Sequence, residues 1–174
     1  MDDVRWAMAQ EIPHLRRYAR SLTGDDASAD DVVQASLERA LRKHHLWRRR
    51  GSLRSWLFRI VHRTFLNSLP RRPPDRGLDE LGDAEPAVPA VQETRSELDA
   101  TVRDLYRLPV AQRATLALVV VEGLDYEEAA DVLGVPVGTV RSRLSRARDT
   151  LRQWAEPGDA GDSGSREPYL RRVK

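Results

Sequence analysis

The chain has no cysteine among its 174 residues, so neither disulfide bonds nor thiolate zinc sites are available to it. Long hydrophobic runs are also missing: the longest, Leu116 to Val121, is far shorter than the roughly 20 residues that cross a bilayer. The first residues lack the basic and apolar segments of a secretory signal. With 40% hydrophobic and 32% charged residues, the composition predicts an intracellular globular protein without a membrane span, of one ordinary domain or two small ones.

The residue patterns of enzymes are missing as well. His44 and His45 are adjacent and cannot share a helix face, and the carboxylate nearest to His62 is thirteen residues away in the sequence. No phosphate-binding glycine loop and no acyl-transfer motif occurs. We therefore expect no catalytic residue, no cofactor and no metal site.

What the chain does have is charge separated into patches, which its net charge of +2 hides. Residues 39–74 hold eleven Lys and Arg and no carboxylate, whereas residues 75–104 hold nine Asp and Glu against three Arg. A second basic cluster, interrupted only by Asp149, lies between Arg141 and Arg152. Patches of one sign create local fields, so two basic patches flanking an acidic segment predict two sites for one long polyanion.

Apolar residues recur at helical spacing through most of the chain, and no strand pattern appears. The pattern predicts a first helix around Ile12–Leu22. Ser28 is expected to cap a second helix, and Ser52 a third whose apolar stripe runs from Leu53 to Phe65. After a proline-rich stretch, Pro109 is expected to begin a helix over 110–121.

The predicted fold is all-α, with two small helical domains joined by a flexible linker, the second of them a helix-turn-helix domain. Prolines, glycines and acidic residues without apolar periodicity mark the linker. The predicted boundaries are 1–70 for the first domain, 71–93 for the acidic linker, 94–156 for the second domain and 157–174 for a disordered tail.

The clearest local motif lies between Asp125 and Leu144. Ala130 is small enough for a steep helix crossing, and Gly134 can take the left-handed conformation that ends a helix. Thr139 is expected to cap the next helix. This spacing predicts a helix-turn-helix.

The second helix of this motif has the features of a helix that reads DNA. Four of its polar residues share one face, at a one, three, four spacing: Arg141, Ser142, Ser145 and Arg146. By contrast, residues 122–131 hold five acidic residues and no basic one. The basic charge is therefore confined to the helix that would enter a groove. A generic helical hairpin with a solvated basic face is the alternative.

The first domain carries a second candidate nucleic-acid surface. Polar residues are expected to line the third helix opposite its apolar stripe: Ser55, Arg59, His62, Arg63 and Asn67. The loop before it mixes an aromatic ring with cations, as a site for an unpaired base needs: Trp47, Arg48, Arg49 and Arg50. The alternative is a solvated basic helix with Trp47 and Trp56 in the core.

Three stretches together resemble RNA polymerase sigma factors of the extracytoplasmic-function (ECF) type. They are residues 29–40, residues 52–63 and residues 126–148, the last containing Gly-Thr-Val-Arg-Ser-Arg-Leu-Ser-Arg-Ala-Arg. The resemblance covers about residues 10–154 and implies a bacterial, cytoplasmic protein that lies at the nucleoid when bound to polymerase. It implies two partners, core RNA polymerase, through its largest-subunit clamp and its flap, and promoter DNA, and it leaves open an anti-sigma factor as a third.

The resemblance also implies a role for each group of residues. The residues on the polymerase-binding positions are Asp31, Gln34, Glu38 and Arg39. The residues from Trp47 to Asn67 named above would capture and melt the −10 element, including a flipped base. The helix-turn-helix, through Thr139 and the four residues of its reading face, would bind the −35 element.

Two other functions stay open at this point. A stand-alone helix-turn-helix regulator would dimerise on two half-sites, but it leaves the basic and aromatic block of the first domain unexplained. A sigma-like protein that sequesters an anti-sigma factor is the other. Gel filtration with and without core polymerase, together with promoter-dependent transcription, separates the three.

Overall fold

The computed structural model describes residues 2–44, 47, 52–69 and 97–155, and these residues are almost entirely helical, with no strand among them. The helices in chain order are α1 Asp2–Thr23, α2 Asp26–Lys43, α3 Leu53–Ser68, α4 Glu97–Arg107, α5 Val110–Leu116, a π-helix Ala117–Val121, α6 Tyr126–Leu133 and α7 Val137–Ala155. The all-α prediction is confirmed. The predicted linker 71–93 and tail 157–174 lie outside the described residues, as do Arg48, Arg49 and Arg50. None of the described helices combines the length and the apolarity that a bilayer crossing needs.

The first three helices pack against one another in pairs around a common core. Leu15 and Tyr18 of α1 and Leu57 and Val61 of α3 belong to this core, and all four are fully buried or nearly so. The Tyr18 and Phe58 rings meet edge to face, with centroids 5.3 Å apart. The predicted stripe of α3 therefore faces the core. Phe58 lies outside that stripe and is buried too, because α3 is covered on a second face.

The caps of α2 and α3 follow from short polar side chains. Ser52 accepts a hydrogen bond from the Ser55 N–H at 3.0 Å, as the sequence predicts. The prediction of Ser28 as the cap of α2 is wrong. Asp25 takes that position, and its carboxylate accepts the Ser28 N–H at 2.8 Å. That bond lowers the pKa of the Asp25 carboxyl, because it favours the charged form.

The turn between α6 and α7 has the predicted geometry at its first half. Gly134 has φ +69°, and its N–H donates to the Ala130 carbonyl at 2.8 Å, which ends α6. The prediction that Thr139 caps α7 is wrong. The helix begins at Val137, because the Pro136 carbonyl already accepts the N–H groups of Thr139 and Val140.

The helix predicted over 110–121 widens into a π-helix after Leu116. The Glu122 N–H donates to the Ala117 carbonyl at 2.9 Å, five residues back, and Gly123 with φ +71° ends the segment. This extra residue in the turn accompanies the full burial of the Glu122 carboxylate, whose side chain has 0% exposure.

The two sets of helices are docked directly on one another. α3 packs against α6, and α1 packs against α5 and the π-helix. Arg113 of α5 is buried in this junction, where its guanidinium donates to the carbonyls of Ser21 and Leu22 at the end of α1. Burial lowers the pKa of Arg113. These bonds satisfy carbonyls that the last turn of α1 leaves unpaired.

Candidate nucleic-acid interfaces and their contacts

Helix α7 presents the predicted reading face to solvent. Its four residues, Arg141, Ser142, Ser145 and Arg146, are all exposed. Leu144 and Ala147 lie on the opposite side and are buried in the core of the second unit, as predicted. Thr139 is half-buried in the first turn. The guanidinium of Arg141 lies 5.9 Å from the centre of the Tyr126 ring, within the range of a cation–π contact.

The face of α3 that was predicted to contact DNA is only partly exposed to solvent. Arg63 and Asn67 are exposed and Arg59 is half-buried, but Ser55 and His62 are buried, at 6% and 8% exposure. The expectation that all five line a solvent-exposed face is therefore wrong for Ser55 and His62. The physical reasons are tertiary: Glu128 of α6 contacts Ser55, and Tyr18 of α1 contacts His62.

His62 forms a buried pair with Tyr18 of α1. The Tyr18 hydroxyl and His62 Nδ1 are 2.9 Å apart. Burial, reinforced by the positive charges of Arg143 and Arg63, lowers the pKa of His62 to about 4. Burial also raises the pKa of the Tyr18 hydroxyl. Both side chains are therefore neutral at neutral pH, and this pair joins α1 to α3.

Carboxylates of α6 accept hydrogen bonds from polar groups at the start and in the middle of α3. Glu128 Oε1 accepts hydrogen bonds from Ser55 Oγ at 2.7 Å and from Ser52 Oγ at 3.1 Å. Arg59 Nη2 donates to Asp131 Oδ2 at 2.9 Å. Ser55 and Arg59 of the predicted −10 surface are thus already bonded to carboxylates.

A second acidic contact lies next to this one, at the end of the π-helix. Arg17 Nε donates to Glu122 Oε1 at 2.7 Å, and Arg54 Nη2 donates to Glu122 Oε2 at 3.0 Å. His14 Nδ1 also lies 2.9 Å from Glu122 Oε2. Burial alone would raise the pKa of the Glu122 carboxyl, but the hydrogen bonds and charges of Arg17 and His14 outweigh it, so the pKa is lowered.

Trp47 lies just before α3 and is half-buried. Its ring rests against Trp56 of α3, with centroids 6.4 Å apart. Its indole Nε1 is buried without a hydrogen-bond partner, although such a group is usually paired. Trp56 is partly buried against the core.

The candidate polymerase-binding residues share the outer face of α2. All four, Asp31, Gln34, Glu38 and Arg39, are exposed. Arg39 Nη1 donates to Thr64 Oγ1 of α3 at 3.3 Å, which ties the end of this face to the neighbouring helix.

Sequence reasoning missed the residues that join the two units: Arg113, Glu122, Glu128 and Asp131. Only one signal pointed to them. A basic helix without carboxylates and an acidic stretch at 122–131 are complementary in charge.

Two family descriptions match the two units separately. Residues 8–62 match the sigma2 domain of PhyR, and residues 105–151 match region 4 of sigma-70. The ECF RNA polymerase sigma factor EcfG of Rhodopseudomonas palustris (strain TIE-1) is 33% identical over 169 residues, which cover 94% of this chain and 91% of the relative. The chain belongs to the ECF family of RNA polymerase sigma factors. The family prediction from the three motifs is confirmed.

Further relatives agree with this ECF sigma factor assignment. The RNA polymerase sigma-H factor of Pseudomonas aeruginosa is 35% identical over 146 residues, covering 76% of each chain. The solved structure of the sigma factor RpoE from Bartonella quintana, in complex with the anti-sigma factor NepR, is 29% identical with a TM-score of 0.70. It covers 89% of this chain and 98% of RpoE, so the likeness extends over both helical units.

Membership in this family defines what the protein does. An ECF sigma factor binds core RNA polymerase and promoter DNA and directs transcription initiation. It is a DNA-binding regulator.

Proposed function

We propose that this sigma factor reads its promoter with two separate surfaces, α7 for the −35 element and α3 with its preceding loop for the −10 element. The observation that carries this proposal is the exposed face of α7. Its two arginines and two serines project from a helix whose other side, through Leu144 and Ala147, is fixed in the core. A rigid helix with polar groups on one face suits the major groove, and arginine suits guanine edges and phosphates. Thr139, in the first turn of α7, would contact the DNA backbone.

The −10 surface is proposed to combine α3 with Trp47 and the arginines at 48–50. Trp47 supports this role, because its side chain is only half-buried and an aromatic ring can stack on a base that leaves the duplex. Arg63 and Asn67 are open to a DNA strand. Ser55 and Arg59, whose polar groups are bonded to Glu128 and Asp131, and His62, which pairs with Tyr18, are proposed to belong to the same surface. Melting of the −10 region would follow from capture of the unpaired base.

The exposed face of α2 is proposed to bind the clamp of the largest polymerase subunit, and the helices of the second unit its flap. Asp31, Gln34, Glu38 and Arg39 support the clamp contact because they form a mixed polar face free for a partner. The proposed division is residues 1–70 for polymerase and the −10 element, 71–93 as the connection, and 94–156 for the −35 element.

An anti-sigma factor is a further proposed partner. The similar RpoE was solved in complex with the anti-sigma factor NepR, and its likeness covers both units of this chain. A sigma factor works where polymerase and chromosome are, so we place the protein in the bacterial cytoplasm, at the nucleoid during initiation, and assign it no catalytic residues.

In vitro transcription tests the promoter-reading assignment. Core polymerase of the host, purified chain and sheared genomic DNA are combined, and the 5′ ends of the transcripts are sequenced. We expect starts that share common upstream elements and depend on the added chain. Arg141→Ala and Arg146→Ala should each weaken use of the −35 element by about 1–3 kcal/mol, the range of a good base contact.

Arg16→Ala is the matched control, since Arg16 is exposed and its ion pair is with the equally exposed Asp30. Unchanged transcription by both α7 variants would refute the −35 assignment. Binding of an anti-sigma factor without any transcripts would instead identify a sigma-like protein that only sequesters it.

A further inference from the structure

Both serines of the α7 reading face use their hydroxyl protons in bonds within the helix. Ser142 Oγ donates to the Thr139 carbonyl oxygen at 3.0 Å, and Ser145 Oγ donates to Asp149 Oδ2 at 3.4 Å. A carbonyl or carboxylate oxygen can only accept, and a hydroxyl has one proton but two lone pairs. Each serine can therefore accept a hydrogen bond from an outside partner and keep the bond that it already makes.

The arginines of the same face have the opposite character. A guanidinium has only N–H donors and no acceptor. Arg141 and Arg146 are exposed, as are both serines. Along α7 the reading face thus presents a donor at 141, acceptors at 142 and 145, and a donor at 146.

The major groove of DNA is read through groups of these two kinds. Guanine offers the N7 and O6 acceptors and thymine the O4 acceptor, whereas adenine N6 and cytosine N4 are amino donors. Each base pair therefore places an amino group on one strand and a carbonyl oxygen on the other. A hydroxyl that accepts distinguishes these two groups, and so distinguishes A from T and C from G.

We propose that Ser142 and Ser145 accept hydrogen bonds from amino groups of adenine or cytosine in the −35 element, and that Asp149 is a positioning residue that keeps Ser145 an acceptor. This inference rests on the proposed function, because it requires that α7 reads the −35 element. If either serine donated to DNA instead, it would first have to give up its bond within the helix.

Asp149 is well placed for this positioning role. It is the only carboxylate between Arg141 and Arg152 in the sequence. Arg152 Nη1 lies 3.5 Å from Asp149 Oδ1, so the cation binds one carboxylate oxygen while Ser145 binds the other. Residues 145, 149 and 152 follow one another at helical spacing on one side of α7. Arg152 therefore helps to hold the carboxylate toward Ser145.

The two serines provide an internal comparison. The acceptor of the Ser142 proton is a backbone carbonyl, which a side-chain substitution leaves in place. The acceptor of the Ser145 proton is a side chain that can be removed. Replacing Asp149 should therefore change base choice opposite Ser145 and leave base choice opposite Ser142 as it was.

The first experiment locates the base that each serine contacts. Host core polymerase and the full chain are combined on a promoter found by the transcript mapping described above, with its −35 element randomised and each template marked by a transcribed barcode. Barcode sequencing gives the base preference at every position of the element. We expect Ser142→Ala and Ser145→Ala each to reduce that preference at one position, and at different positions.

The second experiment removes single atoms from the base at each of these positions. Purine in place of adenine, or pyrimidin-2-one in place of cytosine, lacks the amino group, whereas 7-deazaadenine lacks the N7 acceptor. We expect loss of the amino group to reduce transcription about three- to tenfold with the unsubstituted chain, the effect of one neutral hydrogen bond. The matching serine-to-alanine variant should show no such reduction, because it has no hydroxyl to lose.

Asp149→Ala tests the positioning role. It should reduce the base preference opposite Ser145 by about threefold or more and leave that opposite Ser142 unchanged. Because it also removes a negative charge, it should raise DNA binding at every sequence, so the ratio between bases is the readout. Asp104→Ala is the matched control: it makes the same change in net charge on α4, where Asp104 pairs with Arg107.

Each other outcome overturns a stated part of the proposal. A reduction on loss of N7 rather than of the amino group would show that the serine donates, and unchanged preferences in a serine variant would show that it does not read a base. If Asp149→Ala abolishes the preference and Ser145→Ala does not, Asp149 itself reads the base. Transcription that ignores the −35 sequence altogether would instead refute the proposed function.

Discussion

Replacing Glu122 with glutamine should loosen the junction between the two helical units. The Glu122 side chain has 0% exposure, and its carboxylate pairs with Arg17 and Arg54. Glutamine keeps the shape but loses the charge, so both guanidinium groups lose an anionic acceptor. Removing one partner of a fully buried ion pair costs about 3–5 kcal/mol.

The expected cost here is smaller, because the cations can return to water. Arg17 is 50% exposed and Arg54 is 32% exposed, so solvent recovers part of their lost interaction. We expect Glu122→Gln to lower the free energy of unfolding by about 2 kcal/mol, equivalent to a Tm lower by about 4–8 °C for a chain of this size.

Urea unfolding followed by circular dichroism, together with differential scanning calorimetry, measures this loss. Glu127→Gln is the control, since Glu127 is an exposed residue of α6 and should change stability by less than about 0.5 kcal/mol. Most of the Glu122 effect should persist in about 1 M NaCl, because buried charges are weakly screened. A loss equal to that of the control would refute the reasoning that the buried carboxylate holds the units together.

Two further predictions concern a buried histidine of α3 and the glycines on either side of the turn before α7. His62 has a pKa of about 4 in the fold against 6.5 unfolded, so the unfolded state binds the extra proton between these values. Stability should therefore fall by up to about 3 kcal/mol as the pH drops from 6.5 to 4, and His62→Gln should flatten this slope in urea titrations; an unchanged slope would contradict the assignment. Gly134→Ala should cost about 1 kcal/mol through its positive φ alone, because no atom lies within 4 Å of the added Cβ. Gly138→Ala, within helix α7 and equally unobstructed, should instead stabilise the protein by about 0.5–1 kcal/mol, and equal effects at the two positions would refute the argument.

The helix-turn-helix shows which helix ends can be predicted from residues that are close together in the sequence. Ala130 and Gly134 interact with nearby backbone, so their spacing was enough to predict the end of α6, and Gly134 does adopt a left-handed conformation. The predicted caps Ser28 and Thr139 were wrong because neighbouring residues competed for the same positions. Asp25 provides a carboxylate three residues before Ser28, and Pro136 provides a carbonyl three residues before Thr139.

The solvent-exposed face of α7 was predictable for a related reason. Its apolar and polar residues separate at helical period, and none of the residues that the structure describes covers the polar side. The same reasoning failed on α3. Periodicity identifies one buried face, and Leu57 and Val61 lie on it. It cannot show that α6 contacts Ser55 or that Tyr18 of α1 contacts His62.

The sequence by itself determined the all-helical fold, the exposed polar face of α7 and the family, because each depends on the spacing of residues close together in the chain. Only the tertiary structure decided that the units dock. Glu122 lies 105 residues from Arg17, and Glu128 lies 73 residues from Ser55. Contacts at such separations depend on how whole helices pack, and charge complementarity between α3 and residues 122–131 could suggest that packing but could not specify which atoms meet.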